Sequence, residues 1–214
     1  MNPRQFVAKF EVIFSNFKPS VMSTLDNPND YIDPSKVSAW PTASRYGLLA
    51  GLVLIVLALI VHLTGMVDYT NQSGGSNWIV NLLNWGITIA AIVLAVKQHR
   101  DSELGGFISF GRSFNVGFFV TLVIAVVSMV WGYVFFAFIE PGLIEEILEA
   151  SREQMIEQQG MSEEQAEQGL KMMSWMFTPF MMSLMGGIFS LIAGIIFSLI
   201  VGAIMKKEHP ANAA

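Results

Sequence analysis

Four long stretches without Asp, Glu, Lys or Arg constrain the fold of this chain more than any other feature. They cover residues 46–67, 69–96, 113–139 and 172–205. About 20 apolar residues in an α-helix, at a rise of 1.5 Å each, cross a hydrocarbon core of about 30 Å. We therefore predict four transmembrane helices, at about 46–66, 78–96, 113–139 and 178–205.

The composition agrees with a membrane protein. Charged residues make up 14% of the 214 residues, whereas soluble domains carry about 25%. There is no cysteine, which excludes disulfides and thiolate chemistry. The start of the chain lacks the apolar core of a cleavable signal peptide, so we expect the first span to target the chain. The predicted fold class is an all-α, polytopic membrane protein.

The predicted organisation is a cytoplasmic extension at residues 1–43, a transmembrane domain at 44–207 and a cytoplasmic tail at 208–214. Residues 1–18 place phenylalanines at helical spacing, which predicts an amphipathic helix that lies either on lipid or on the protein itself. Proline, asparagine and aspartate recur in residues 19–43, which indicates an irregular linker.

Basic residues indicate the orientation. Of the twelve Lys and Arg residues, ten lie before the first span, between the second and third, or after the fourth. The two others, Arg152 and Lys171, lie between the third and fourth spans. Because Lys and Arg favour the cytoplasmic side, we predict that both termini are cytoplasmic (N-in/C-in).

The segment at about 141–176 is predicted to be an acidic helical hairpin on the outer side. Gly160 is a natural helix stop, and Ser162 with Gln165 matches the capping box that begins a new helix. The glutamates scatter around both helices without the spacing of a calcium loop. This pattern favours a solvated face over a cation site.

Small residues recur every four positions along the fourth span. This predicted helix-packing ridge comprises Gly186, Ser190, Gly194, Ser198 and Gly202. Small side chains let helix backbones approach closely in lipid, where there is little hydrophobic drive between helices. We interpret the ridge as an internal contact in preference to a homodimer face.

The loop between the second and third spans, residues 97–117, has the densest mixture of both charge signs. It is the candidate interaction site on the inner side, with Arg100, Asp101, Gly105, Gly106, Phe110, Gly111, Arg112 and Phe114. The adjacent glycines permit a sharp turn, and Ser109 is placed to cap the next helix. We expect Arg100 to pair with Asp101 or Glu103, and Arg112 to reach lipid headgroups. A structural connector is favoured over a ligand site.

No constellation for catalysis, cofactor binding or metal binding stands out. The three histidines, His62, His99 and His209, fall in different parts of the predicted topology, so we expect no shared metal site. No nucleotide-binding motif occurs. We predict a protein that is not an enzyme and binds no cofactor, metal or nucleic acid. An enzyme acting on lipid headgroups through the loop ranks last, because no nucleophile is evident.

The residues of the loop carry a family resemblance. Lys97, Arg100-Asp101, the run 105–111, Phe114 and Gly117 combine with Tyr46-Gly47, Pro141 and Lys206-Lys207. With these residues the chain resembles an uncharacterised bacterial four-span family, the domain of unknown function four-one-nine-nine, over about 44–207. The resemblance implies a multi-pass protein of the bacterial cytoplasmic (inner) membrane. It implies no catalytic residues and no activity.

Two functions fit these observations. The first is a non-enzymatic integral membrane scaffold or accessory subunit of a membrane complex, whose partners are the lipid bilayer and either another protein or further copies of itself. The alternative is a small oligomeric transporter or channel-like protein. It is motivated by a polar file of Asn81, Asn84 and Thr88 on the second span with Asn115 on the third, for which interhelical hydrogen bonding is the favoured interpretation.

Overall fold

The computed structural model of the chain describes residues 33–67 and 77–208. The amphipathic helix predicted at 1–18 and most of the linker lie outside these residues. Within them the chain is all-α, and its only bridge is an isolated antiparallel pair between Ile108 and Lys207. The helices are α1 Trp40–Thr64, α2 Asn77–Gln98, α3 Phe110–Val134, α4 Leu143–Glu157, α5 Glu163–Met173 and α6 Pro179–Met205.

Four of these helices are long and apolar enough to cross a membrane. Two of them include a π-helical extension of five residues, His99–Glu103 after α2 and Phe135–Ile139 after α3. With those extensions the spans are Trp40–Thr64, Trp78–Glu103, Phe110–Ile139 and Pro179–Met205. The all-α fold with four helices long and apolar enough to span a membrane is confirmed.

The first helix begins earlier than the predicted span. It starts at Trp40, with Pro41 in its first turn, whereas we placed the start of the span at about 46. Proline is compatible with the first turn because the N–H that it lacks has no partner in the helix there. The interpretation of Pro41 as part of an irregular linker is therefore wrong.

Helix α3 is the centre of the bundle. It packs most extensively against α6 and next against α1. Glycines on α1 make the second contact close, since a Cβ added at Gly47 would lie 2.7 Å from the Cβ of Val123. A Cβ at Gly194 on α6 would lie 2.4 Å from Cγ2 of Thr121 on α3. The backbones approach this closely only because those positions lack side chains.

The small-residue ridge on α6 differs from the prediction at one end. Gly194, Ser198 and Gly202 are buried, and Gly194 and Gly202 face residues of α3. Gly186, however, is exposed, with nothing within 4 Å of an added Cβ. A spacing of four residues drifts by about 40° around a helix at each step, so the predicted row leaves the interface. Ser183 and Gly187 occupy the buried face instead.

The buried core lies toward one end of the bundle, where α2 ends and α3 begins. The buried side chains of α2 begin only at Ala91 and continue through Ile92, Ala95 and Val96. They meet Leu104 and Ile108 of the following loop, together with buried residues of α1, α3 and α6. We call this the loop end of the molecule. It contains the start of α1, residues 97–112 and the end of α6.

The opposite end carries two short helices, α4 and α5, which we call the acidic hairpin. They contact each other more than they contact any membrane-spanning helix. Gly160 adopts a left-handed φ of 66° in the turn. Ser162 and Gln165 form the predicted capping box. Every glutamate of the two helices is exposed.

Candidate functional site

The connection between α2 and α3 is built by a change of helix type and two glycines. After Gln98 the chain continues for five residues as a π-helix, His99–Glu103. Gly105 and Gly106 then adopt φ values of 66° and 91°, which residues with a Cβ rarely adopt. The Gly106 N–H donates to the Arg100 carbonyl at 2.8 Å and ends the helix. The π-turn matters because it keeps residues 99–103 helical beyond the predicted end of the span.

Helix α3 begins with the predicted cap. The Ser109 hydroxyl accepts a hydrogen bond from the Arg112 N–H at 3.3 Å. The cap satisfies one of the four N–H groups that lack partners at a helix start. It also fixes Arg112 in the first turn, on the side that faces the end of α2.

His99 is the centre of the site. Its side chain is fully buried. Nδ1 lies 2.7 Å from Oε2 of Glu103, one turn later in the π-helix. On the other side of the ring, Nε2 accepts a hydrogen bond from Arg112 Nε at 3.0 Å. Because Nε2 is an acceptor, the neutral ring must carry its proton on Nδ1 and donate it to the carboxylate. The two partners therefore select one tautomer.

The partners of His99 bind in turn to the chain before and within α1. A terminal nitrogen of the Arg112 guanidinium donates to the backbone carbonyl of Val37. The Thr42 hydroxyl donates to Oε1 of Glu103. We call Thr42, His99, Glu103 and Arg112, with the Val37 carbonyl, the buried polar cluster. It joins three separate segments, the start of α1, the end of α2 and the start of α3.

The chemistry of this cluster is structural. Both ring nitrogens of His99 are occupied, and both carboxylate oxygens of Glu103 have partners. Buried polar groups are costly unless they are hydrogen-bonded, so each member requires the others. Removal of Glu103 or Arg112 leaves one nitrogen of the buried His99 ring unsatisfied. The arrangement can therefore act as a lock between helices at this end of the bundle.

A second connection at the loop end ties in α6. Ile108 and Lys207 exchange two backbone hydrogen bonds, each 2.8 Å long. The Lys207 ammonium lies 5.2 Å from the centre of the Phe107 ring, within the range of a cation–π contact. Ile108 is buried. The end of the fourth span is thus fixed to the loop that joins the second and third.

Asp33 shapes the segment that leads to Val37. Its side chain accepts hydrogen bonds from the Ser35 hydroxyl at 2.7 Å and from the Ser35 N–H at 2.9 Å. These bonds cap the short 3-10 helix Pro34–Lys36. They also hold the Asp33 pKa below its usual value, because the hydroxyl and then the N–H stabilise the carboxylate.

The structure divides the predicted loop site into two parts. Arg100 pairs with Asp101 at 2.7 Å on the surface, and Gly105 and Gly106 form the turn. Phe110 and Gly111 are exposed at the start of α3, and Phe114 is half-buried against Phe118. Arg112 alone joins the buried polar cluster. Its guanidinium binds His99 and Val37, so the expectation that it reaches lipid headgroups is wrong.

Sequence reasoning missed His99, Glu103 and Thr42 as members of this site. The available signal was the spacing of four between His99 and Glu103, which places two side chains on one helix face. The charge pattern of residues 97–117 predicts a loop. In a loop, a spacing of four does not place two side chains on the same side. Thr42 carried no signal, because it lies 61 positions before Glu103 in the chain.

The predicted polar file is not assembled. Asn81 is exposed, and Asn84 and Asn115 are half-buried. The Thr88 hydroxyl donates to the Asn84 carbonyl of its own helix at 2.9 Å.

At the hairpin end, His62 Nε2 lies 3.3 Å from a carboxylate oxygen of Glu140, and the His62 ring packs edge-on against Phe135 at 5.0 Å. This pair joins the ends of α1 and α3.

Within residues 33–67 and 77–208, no three His, Asp or Glu side chains lie close enough together to hold a metal ion. His99 and Glu103 are neighbours, but the third group of the cluster is the Arg112 guanidinium, which has no lone pair to offer a cation.

Comparison with known proteins places the chain in a family. No curated protein matches it, and no solved structure matches it. A family model described as "Protein of unknown function (DUF4199)" matches residues 45–207, which is more than half of the chain and includes α1 to α6 almost completely. The chain belongs to this family, as the loop residues and the four spans predicted.

Proposed function

We propose that this member of the DUF4199 family is a non-enzymatic membrane scaffold or accessory subunit, whose acidic hairpin binds a partner protein. In this proposal the four-helix bundle anchors the hairpin in the bacterial inner membrane. Both termini and the loop end face the cytoplasm, and the hairpin faces the outer side. Support for this orientation comes from the basic residues, which concentrate at the loop end.

The observation that carries the proposal is the isolation of the acidic hairpin from the bundle. Its two helices pack on each other, with Ala166 fully buried between them. Arg152 on α4 lies 3.9 Å from Glu167 on α5. The bundle therefore does not need the hairpin as part of its core. An ordered element that is not used internally is available to another protein.

The surface of the hairpin supports a protein partner. Where α5 leads into α6, Met172 is 79% exposed and Trp175 is 60% exposed. Exposed methionine and aromatic side chains are enriched at protein interfaces. The surrounding glutamates provide a charged rim that favours a partner with basic residues.

Co-purification from the cells that make the protein naturally tests the proposal. The full-length chain is extracted in mild detergent and its complexes are analysed by mass spectrometry. We expect one protein to co-purify reproducibly and to be lost when Met172 and Trp175 are both changed to Ser.

The matched control changes Leu63 to Ser. Leu63 is 80% exposed at the same end of the bundle but lies on α1, away from the acidic hairpin. This variant should retain the partner. A chain that is always recovered as a solitary monomer would contradict the proposal, as would a partner that survives the hairpin substitutions.

A further inference from the structure

The two ends of the molecule differ strongly in charge. At the loop end, residues 33–46, 97–112 and 206–208 contain seven Lys or Arg and four Asp or Glu. At the hairpin end, residues 140–178 contain two Lys or Arg and nine Glu. Arg112 and Glu103 belong to the buried polar cluster, so six Lys or Arg and three Asp or Glu remain at the loop end outside it.

Three lysines at the loop end form what we call the lysine patch, Lys97, Lys206 and Lys207. All three are exposed. Of the nearby carboxylates, Asp101 pairs with Arg100 and Glu103 belongs to the buried polar cluster. Glu208, the residue after Lys207, is exposed. In the part of the chain that the structure describes, no lysine of the patch forms a salt bridge.

The patch is held in place by its backbone. Lys207 is fixed by the two hydrogen bonds to Ile108 and by its position over Phe107. Lys97 lies in the last turn of α2. Val96, the residue before Lys97, packs in one buried cluster with Ile108 of the loop and Val201 of α6. Two membrane-spanning helices thus end beside the same loop, and each brings exposed lysines to it.

An apolar surface continues from Lys97 and from Lys207 toward the membrane. Leu94 lies one turn before Lys97 and is 52% exposed. Ile204 lies one turn before Lys207 and is 76% exposed. A free phosphate ion would contact only the ammonium groups. A phospholipid would also place its acyl chains on these apolar side chains.

We infer that the lysine patch binds the headgroup phosphate of an anionic phospholipid. Lys97 lies in the last turn of α2, and Lys206 and Lys207 follow the end of α6. When these helices cross a bilayer, both positions lie at the depth of the headgroups. Basic residues at this depth attract anionic lipids, and the stems of lysine side chains lie well along apolar surface. This inference concerns the loop end alone and does not depend on the acidic hairpin.

Native mass spectrometry of the full-length protein tests the inference. Phosphatidylglycerol and phosphatidylcholine with identical acyl chains are titrated in detergent, and the dissociation constant of the first bound lipid is measured. We expect phosphatidylglycerol to bind more tightly. Each of Lys97→Gln and Lys207→Gln should weaken its binding about fivefold, while phosphatidylcholine binding stays unchanged.

Two controls separate charge from structure. Lys97→Arg with Lys207→Arg keeps the charge and should retain selectivity for phosphatidylglycerol. Lys171→Gln removes an exposed lysine at the hairpin end and should have no effect. Folding of each variant is checked by its thermal unfolding. If one of the two glutamine variants does not fold, the other decides the question.

Four results would overturn the inference. They are equal binding of the two lipids by the unmodified protein, an equal loss of binding in Lys171→Gln, weak binding by the double arginine variant, and displacement of the lipid by millimolar inorganic phosphate. The last result would identify a free-anion site. None of them would bear on the partner proposed for the acidic hairpin.

Discussion

The loop end and the hairpin end of this protein place the same kinds of residue in different environments. At the loop end, a fully buried histidine is hydrogen-bonded to a half-buried carboxylate and a half-buried arginine. At the hairpin end, the carboxylates of the two short helices are exposed, and the side chain of Arg152 is 28% exposed. The difference lies in the neighbours. The buried polar cluster joins three segments of the chain, whereas Arg152 pairs with Glu149 of its own helix and lies near Glu167 of the other hairpin helix.

This contrast indicates which end can change without loss of the bundle. Glu103 and Arg112 cannot be removed singly, because each removal leaves a nitrogen of the buried His99 ring without a hydrogen bond. Exposed ion pairs such as Arg152 with Glu149, at 3.0 Å, contribute little to stability. The loop end is therefore suited to hold the helices together, and the acidic hairpin is suited to bind a partner.

The largest effect is expected from Arg112→Met. This change leaves the Val37 carbonyl and Nε2 of His99 without their donor, at a cost of about 2–4 kcal/mol in the free energy of unfolding. Unfolding by sodium dodecyl sulfate in mixed micelles measures the change. Arg100→Met is the matched control, since Arg100 belongs to the same loop but pairs on the surface, and it should cost about 0–1 kcal/mol. An equal loss of unfolding free energy in the two variants would show that the buried polar cluster does not hold the helices together.

A smaller effect is expected from Gly194→Ala in the contact between α3 and α6. The added Cβ would lie 2.4 Å from Cγ2 of Thr121, so the two helices must move apart, at a cost of about 1–3 kcal/mol. Gly186→Ala is the control, because nothing lies within 4 Å of its Cβ. The same unfolding titration compares the two. If Gly186→Ala were the more damaging, the packing described for α6 would be incorrect.

Ser162→Ala should affect the acidic hairpin only. Loss of the capping box costs about 1 kcal/mol of helix stability, and α5 is only eleven residues long. Hydrogen exchange should become faster in residues 163–173, while the unfolding temperature of the bundle stays the same. A fall in that temperature would mean that the hairpin supports the bundle.

The smallest expected effect is the loss of the Asp33 cap at low pH. Because the folded-state pKa of Asp33 is lowered by Ser35, its cap is fully effective above the unfolded pKa of about 3.9 and is lost as the pH falls through the lower folded value. The chemical shift of the Ser35 amide in a pH titration follows this loss. Ser35→Ala should move the Asp33 transition to higher pH. A transition that Ser35→Ala leaves unchanged would exclude the cap as its cause.

The parts of the fold that depend on local composition were predictable, and those that depend on distant partners were not. Uncharged runs identified the four spans, and Ser162 with Gln165 identified the start of α5, because each signal lies within a few residues. The sequence around Arg112 predicts contact with lipid headgroups. It gives no sign of the true partner, because Val37 is 75 positions away. The spacing of four predicts Gly186 in the interface. A helix has 3.6 residues per turn, so residues spaced by four shift gradually around its axis and leave the interface.

Hydrogen–deuterium exchange of the full-length protein in lipid nanodiscs tests most directly whether the two ends differ as described. Amides with stable, buried hydrogen bonds exchange slowly, and those in isolated helices exchange faster. We predict slow exchange in residues 99–112, with protection that is lost in Arg112→Met, and faster exchange in residues 143–173. Protection of the acidic hairpin equal to that of the loop, in the absence of a partner, would contradict the account.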